Sequence, residues 1–117
     1  IIHGGTIGVN CLVGMNAVIM DDAVIEDECI IGALTFVAAK MHVPKRKLVV
    51  GNPAKVIKDV SDEMLEWKTL GTALYQKLPG ECKDSLLECD PLREPETNRP
   101  SQDAILKTWK DIQQSKS

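Results

Sequence analysis

An aliphatic residue at every sixth position from Ile1 to Val37 and a small residue four places after each of the first six predict a mainly-β fold. With a helix-period stretch after Ser61, they specify a left-handed parallel β-helix of hexapeptide repeats followed by C-terminal α-helices. The aliphatic rank is Ile1, Ile7, Val13, Ile19, Ile25, Ile31 and Val37; the small rank is Gly5, Cys11, Ala17, Ala23, Cys29 and Thr35. An α-helix needs apolar residues at i, i+3, i+4 and i+7, and a period of six scatters them around its circumference. It would also have to absorb Gly4, Gly5, Gly8, Gly14 and Gly32, each costing about 0.8–1 kcal/mol relative to Ala.

A triangular prism satisfies the pattern. Each repeat makes one short strand and one tight corner, and three repeats close a coil of 18 residues. The next coil stacks about 4.8 Å away through parallel pairing. Ile7 is expected over Ile25, Val13 over Ile31 and Ile19 over Val37, all inward, and the winding is an exception to the right-handed crossover rule. The prism is expected over residues 1–58, about three coils. Within it, Pro44, Lys45, Arg46 and Lys47 read as a loop that slips the register by one, turning Val50 and Val56 inward with Ala54 in the small place. Ile1 would expose an open strand edge. Because the chain starts inside a repeat and without methionine, it is expected to be an N-terminally truncated stretch of a longer stack.

Residues 61–89 read as flanking helices. Ser61 with Asp62 and Glu63 is a helix start. Met64, Trp67, Leu70, Leu74, Tyr75 and Leu78 form an apolar stripe expected to be core, and Pro79-Gly80 is expected to stop the helix. A second helix is expected over residues 81–88, with Cys82, Leu86 and Cys89 on one face. Residues 90–117 read as a linker carrying Pro91, Pro95 and Pro100, then a short amphipathic helix with Ile105, Trp109 and Ile112.

The chain has 117 residues, 44% of them hydrophobic, enough for one modest domain. Phe36, Trp67, Tyr75 and Trp109 are its only aromatics, so the core must be aliphatic. A net charge of −3 argues against bulk nucleic-acid binding. No apolar run reaches the roughly 20 residues of a membrane span. Cys11, Cys29, Cys82 and Cys89 form no CxxC pair and read as reduced thiols of a cytoplasmic protein. Cys11 and Cys29, one coil apart, are expected to stack as free interior thiols. Asn16 reads as a corner, Asp21 and Asp22 as a turn, and Glu26, Asp27 and Glu28 as solvent-facing corner charges. No catalytic residue is assigned from the motifs.

The strings "IIHGGTIG", "CLVGMNAVIMDDAVIEDECIIGA" and "VVGNPAKVI", followed by "DEMLEWKTLGTALYQKLPGECKDSLLECDPLRE", carry a resemblance that covers residues 1–94. They resemble the γ-carbonic anhydrase-like branch of the hexapeptide proteins, in its phenylacetate-degradation and carnitine-operon group. The resemblance implies a homotrimer in which three histidines, drawn from two subunits, bind a divalent metal, zinc or iron. It places one ligand at His3 and the other two upstream of Ile1. His42 matches no family ligand and reads as a surface or loop histidine after the last regular repeat. The chemistry implied is attack of activated water on an electrophilic carbon, either carbon dioxide or a coenzyme A thioester. The group favours acyl-CoA thioester hydrolysis. A hexapeptide acyltransferase is the rival reading, with His3 as general base and Lys45, Arg46 and Lys47 as candidates for coenzyme A phosphates. An inactive structural homologue is the third.

Overall fold

The computed structural model describes residues 1–98 and 107–115. Two-residue strands recur every six residues: β1 (Thr6–Ile7), β2 (Leu12–Val13), β3 (Val18–Ile19), β4 (Val24–Ile25), β5 (Ile30–Ile31), β6 (Phe36–Val37) and β7 (His42–Val43). Longer β8 (Lys47–Val50) and β9 (Lys55–Asp59) follow, then helices α1 (Asp62–Ser85) and α2 (Trp109–Gln114). The strands form three parallel faces, β1-β4-β7, β2-β5-β8 and β3-β6, each step being one coil. Ile7 pairs with Ile25, Val13 with Ile31 and Ile19 with Val37, as the repeat requires.

The aliphatic rank is the core. Ile19, Ile31, Val37, Val43 and Val49 are fully buried, with Ile25 beside them and Ala17, Ala23 and Cys29 filling the narrower places. The rank therefore continues through Val43 and Val49 without interruption. This corrects the expected register slip: Ile31 pairs with Val49, and Val50 and Val56 are exposed. The physical reason lies in the corners. Backbone φ is positive at Gly4, Asn10, Asn16, Asp22, Glu28, Leu34, Lys40 and Arg46, so a left-handed residue closes every corner at the same step. Arg46, with φ of 58°, turns the chain as Asn10 does, and the basic segment is an ordinary corner. Parallel winding ends only after β8, where a turn through a cis Asn52-Pro53 bond folds β9 back antiparallel.

Cys11 and Cys29 are free thiols as expected, each donating to a carbonyl of the next corner, Glu26 O and Pro44 O, both at 3.1 Å. Burial pushes the Cys29 thiol above its ordinary range. Thr35 occupies the equivalent small place, but its buried Oγ1 has no hydrogen-bond partner among the described residues.

Two units divide the chain, residues 1–69 and residues 70–117. In the first, Ser61 caps α1 by accepting from Met64 N at 3.2 Å. At its foot, Val60 N donates to Arg46 O at 2.8 Å, and Arg46 Nη2 meets Asp62 Oδ1 at 2.5 Å. Two turns later Lys68 Nζ donates to Asn10 Oδ1, and Asn10 Nδ2 donates to Thr69 Oγ1 at 3.1 Å. Asn10, Glu28 and Arg46 are corners stacked on one edge, so the first turns of α1 climb that edge. Burial pushes the Lys68 ammonium below its usual range.

Helix α1 is continuous through Pro79, which corrects the expected stop and the second helix over 81–88. Pro79 and its neighbours are exposed, so water can satisfy the carbonyl that loses its N–H partner. The stripe is core only at its start. Met64 is buried, Trp67 and Leu74 are half-buried, and Leu70, Tyr75 and Leu78 are exposed. Buried Met64 and Lys68 mark the length of helix that the rise from Arg46 to Asn10 accommodates. Residues 86–98 carry no helix or strand; Pro100 and Ile105 of the expected linker and helix lie outside the described residues. Helix α2 begins later than its periodicity suggested, at a capping box: Thr108 Oγ1 accepts from Asp111 N at 3.2 Å and Asp111 Oδ2 accepts from Thr108 N at 3.1 Å.

Candidate functional site

His3 lies at the corner that leads into β1, in the first coil. Its backbone is held by pairing of Ile2 with Ile19 and by donation from His3 N to Ile19 O at 2.9 Å. The imidazole is 71% exposed, and Nδ1 lies 2.7 Å from Asp21 Oδ1 one coil away. Nε2 has no hydrogen-bond partner among the described residues. Asp21, read from the sequence as a turn residue, is thus the neighbour of the candidate ligand. The signal was present: His3 and Asp21 are 18 residues apart, one full coil.

His42 lies on strand β7, within the regular repeat, which corrects its placement after the last one. It is exposed and uses Nε2 to meet Glu26 Oε1 at 2.8 Å. Glu26 also accepts from Lys45 N at 2.8 Å. That amide first, and the His42 imidazole second, hold the Glu26 carboxyl below its ordinary value. Glu26 is therefore a clasp between two coils, where a solvent-facing charge was expected. The structure does not bring His42 and Glu26 into contact with the His3–Asp21 pair.

The basic corner is internally neutralised. Lys45 Nζ lies 3.5 Å from Glu28 Oε2, Arg46 bridges Glu28 and Asp62, and Lys47 Nζ pairs with Asp59 Oδ1. Three cations face three carboxylates, which leaves little field to attract the phosphates of a coenzyme. Hydrogen bonding to Lys47 in turn holds the Asp59 carboxyl below its ordinary value.

Among the described residues no three His, Cys, Asp or Glu side chains gather into a metal-ligating group. His3 nonetheless fits the part of a ligand shared with other residues. It is exposed at an edge, its ring is anchored through one nitrogen by a carboxylate, and its other nitrogen is open. No helix among the described residues is long and apolar enough to cross a membrane.

Comparison with known proteins agrees with this architecture. Residues 4–39 match the family described as bacterial transferase hexapeptide (six repeats). The chain is 53% identical over 100 residues to the carnitine operon protein CaiE of Escherichia coli O157:H7, covering 86% of this chain and 51% of that protein. The CaiE protein of Shigella sonnei gives the same identity and coverage. The chain thus spans about half the length of the curated relatives it matches. Among solved structures, a putative acetyltransferase from Bacillus cereus is similar with a TM-score of 0.69 and 29% identity, covering 71% of this chain and 48% of that one. A hexapeptide transferase family protein from Anaplasma phagocytophilum gives 0.65 and 28%, covering 68% and 48%. With the six-residue rank, the left-handed corners and the stacked parallel faces, these likenesses show that the chain belongs to the hexapeptide-repeat family, in the company of the carnitine operon proteins CaiE.

Proposed function

We propose that the protein is a metal-dependent hydrolase of the γ-carbonic anhydrase-like type, acting on acyl-CoA thioesters in the cytoplasm as a homotrimer of left-handed coils. The observation that carries this reading is His3: an exposed imidazole at the corner of the first coil, with Nδ1 engaged and Nε2 open. The likeness to CaiE, which extends over 100 residues of the chain, supports it. Free cysteines suit a reducing compartment.

His3 Nε2 offers its lone pair as one of three imidazole ligands, the others coming from outside residues 1–117 and from an adjoining subunit. A zinc or iron ion bound there supplies Lewis acidity and brings the ionisation of water near neutrality. The chain's own contribution is to hold one donor in place on a rigid edge and to leave the approach to it open. Phosphate recognition by Lys45, Arg46 and Lys47 is disfavoured by their pairing with Glu28, Asp62 and Asp59.

Elemental analysis of the purified protein and of a His3→Ala variant, beside an acyl-CoA hydrolysis assay, tests the reading. Loss of bound metal and of hydrolysis together is the expected result, and undiminished metal in the variant would remove His3 from the site. The likeness to a putative acetyltransferase favours a second reading, an acyltransferase with His3 as general base. Acyl transfer to an amine or hydroxyl without bound metal would select it, and hydration of carbon dioxide without thioester hydrolysis would narrow the substrate.

A further inference from the structure

The chain contains two histidines, and each meets a carboxylate from a neighbouring coil through a different nitrogen. His3 uses Nδ1, 2.7 Å from Asp21 Oδ1; His42 uses Nε2, 2.8 Å from Glu26 Oε1. An ionised carboxylate can only accept, so the nitrogen that faces it carries the proton. In the neutral ring the other nitrogen keeps its lone pair, which is Nε2 at His3 and Nδ1 at His42. The two rings are thereby set in opposite tautomers, and only His3 offers a lone pair at the far tip of the ring.

We propose that Asp21 is a positioning residue, which fixes the Nδ1–H tautomer and the direction of the His3 ring so that Nε2 is the electron pair presented to the site. The proposal rests on the reading of His3 as a ligand for its purpose, but its physical content stands without a metal. Gly4 provides the independent observation. A Cβ built at Gly4 would lie 2.5 Å from Asp21 Oδ1, the oxygen that His3 engages. Residue 4 therefore leaves the space in which that carboxylate reaches the imidazole, and its φ of 68° fits glycine as well. Both partners are also pinned by the inter-coil ladder. His3 N donates to Ile19 O at 2.9 Å, Asp22 N to Gly4 O at 3.0 Å and Lys40 N to Asp21 O at 2.9 Å. A carboxylate–imidazole pair of this kind raises the basicity of the ligating nitrogen and removes the cost of selecting a tautomer on binding.

Long-range 1H–15N spectra of the imidazoles in the metal-free protein test this at about pH 8.5, well above the ordinary imidazole range. Wild-type His3 should show a protonated Nδ1 and an unprotonated Nε2, and His42 the reverse, so that each ring is the other's reference. In Asp21→Ala, the His3 nitrogens should move toward the averaged values of a mixed tautomer while His42 stays unchanged, reporting an intact fold. Gly4→Ala should reproduce this by displacing the carboxylate, whereas Asp21→Asn, which still accepts from Nδ1–H, should retain the wild-type pattern. Zinc affinity, read by competition with a chromophoric chelator, should fall about 10–100-fold in Asp21→Ala and recover in part in Asp21→Asn, which restores the hydrogen bond without the carboxylate's charge. An Nε2–H tautomer at His3 in the wild type, or no change in Asp21→Ala, would overturn the assignment. The expected spectra with no zinc bound by the wild type would uphold Asp21 as the positioning residue and defeat the metal-dependent reading instead.

Discussion

Lys40 turns a corner with φ of 62°, a conformation in which its Cβ crowds the backbone. Asn tolerates that region better. Lys40→Asn should therefore raise stability by about 0.5–1 kcal/mol, measured as a shift in the urea midpoint at constant slope. Glu26 carries a pH-dependent contribution whose sign follows from its bonds. The Lys45 amide and the His42 ring favour its charged form, so its carboxyl titrates lower when folded than its ordinary value of 4.5. The stabilisation is present above that value and fades as the pH falls through the lower, folded one. Urea midpoints measured from about pH 6 down to about pH 3 should fall more for the wild type than for Glu26→Gln. At this scale the candidate site was half legible. His3 was marked by its string, but its partner was marked only by the 18-residue spacing of one coil, and Asp21 read by itself as a turn residue.

Strands of two residues hold together because each coil sits flush on the next, and Gly14 shows how little space the contact leaves. A Cβ there would lie 2.4 Å from Ala33 N and 2.6 Å from Gly32 C, both backbone atoms with nowhere to go. Gly14→Ala should cost about 3 kcal/mol, with a clear drop in Tm. Gly80, inside α1, meets nothing within 4 Å. Gly80→Ala should raise stability by about 0.5–1 kcal/mol through helix propensity, read by thermal denaturation followed by circular dichroism at helix wavelengths. The elements also show where sequence reasoning ran out. The inward rank identified every strand up to β6, because a buried six-residue beat has no other solution. Pro44 and the three basic residues after it look like a loop, yet a left-handed corner asks only for one positive φ and accepts Arg46. Pro79 reads as a stop, yet an exposed helix tolerates one lost N–H bond and α1 runs on to Ser85.

For the molecule as a whole, stability resides in one aliphatic column whose layers are unequally covered. Ile25 is 1% exposed, while Ile7, one layer away, is half-buried. Ile25→Ala should cost about 3–4 kcal/mol and Ile7→Ala about half of that, measured by chemical denaturation. Equal costs would mean that Ile7 is as well covered in solution as Ile25. The helix climbing beside this column has a dimension of its own. From Asp62 at the Arg46 corner to Lys68 at the Asn10 corner is six helical residues, about 9 Å of rise. The two layers between those corners span about 9.6 Å. The match acts as a gauge of stack height: a duplicated layer inserted between the two corners would lift Asn10 about 4.8 Å beyond the reach of Lys68. Lengthening the helix by three or four residues, about 4.5–6 Å, would bring the two back together.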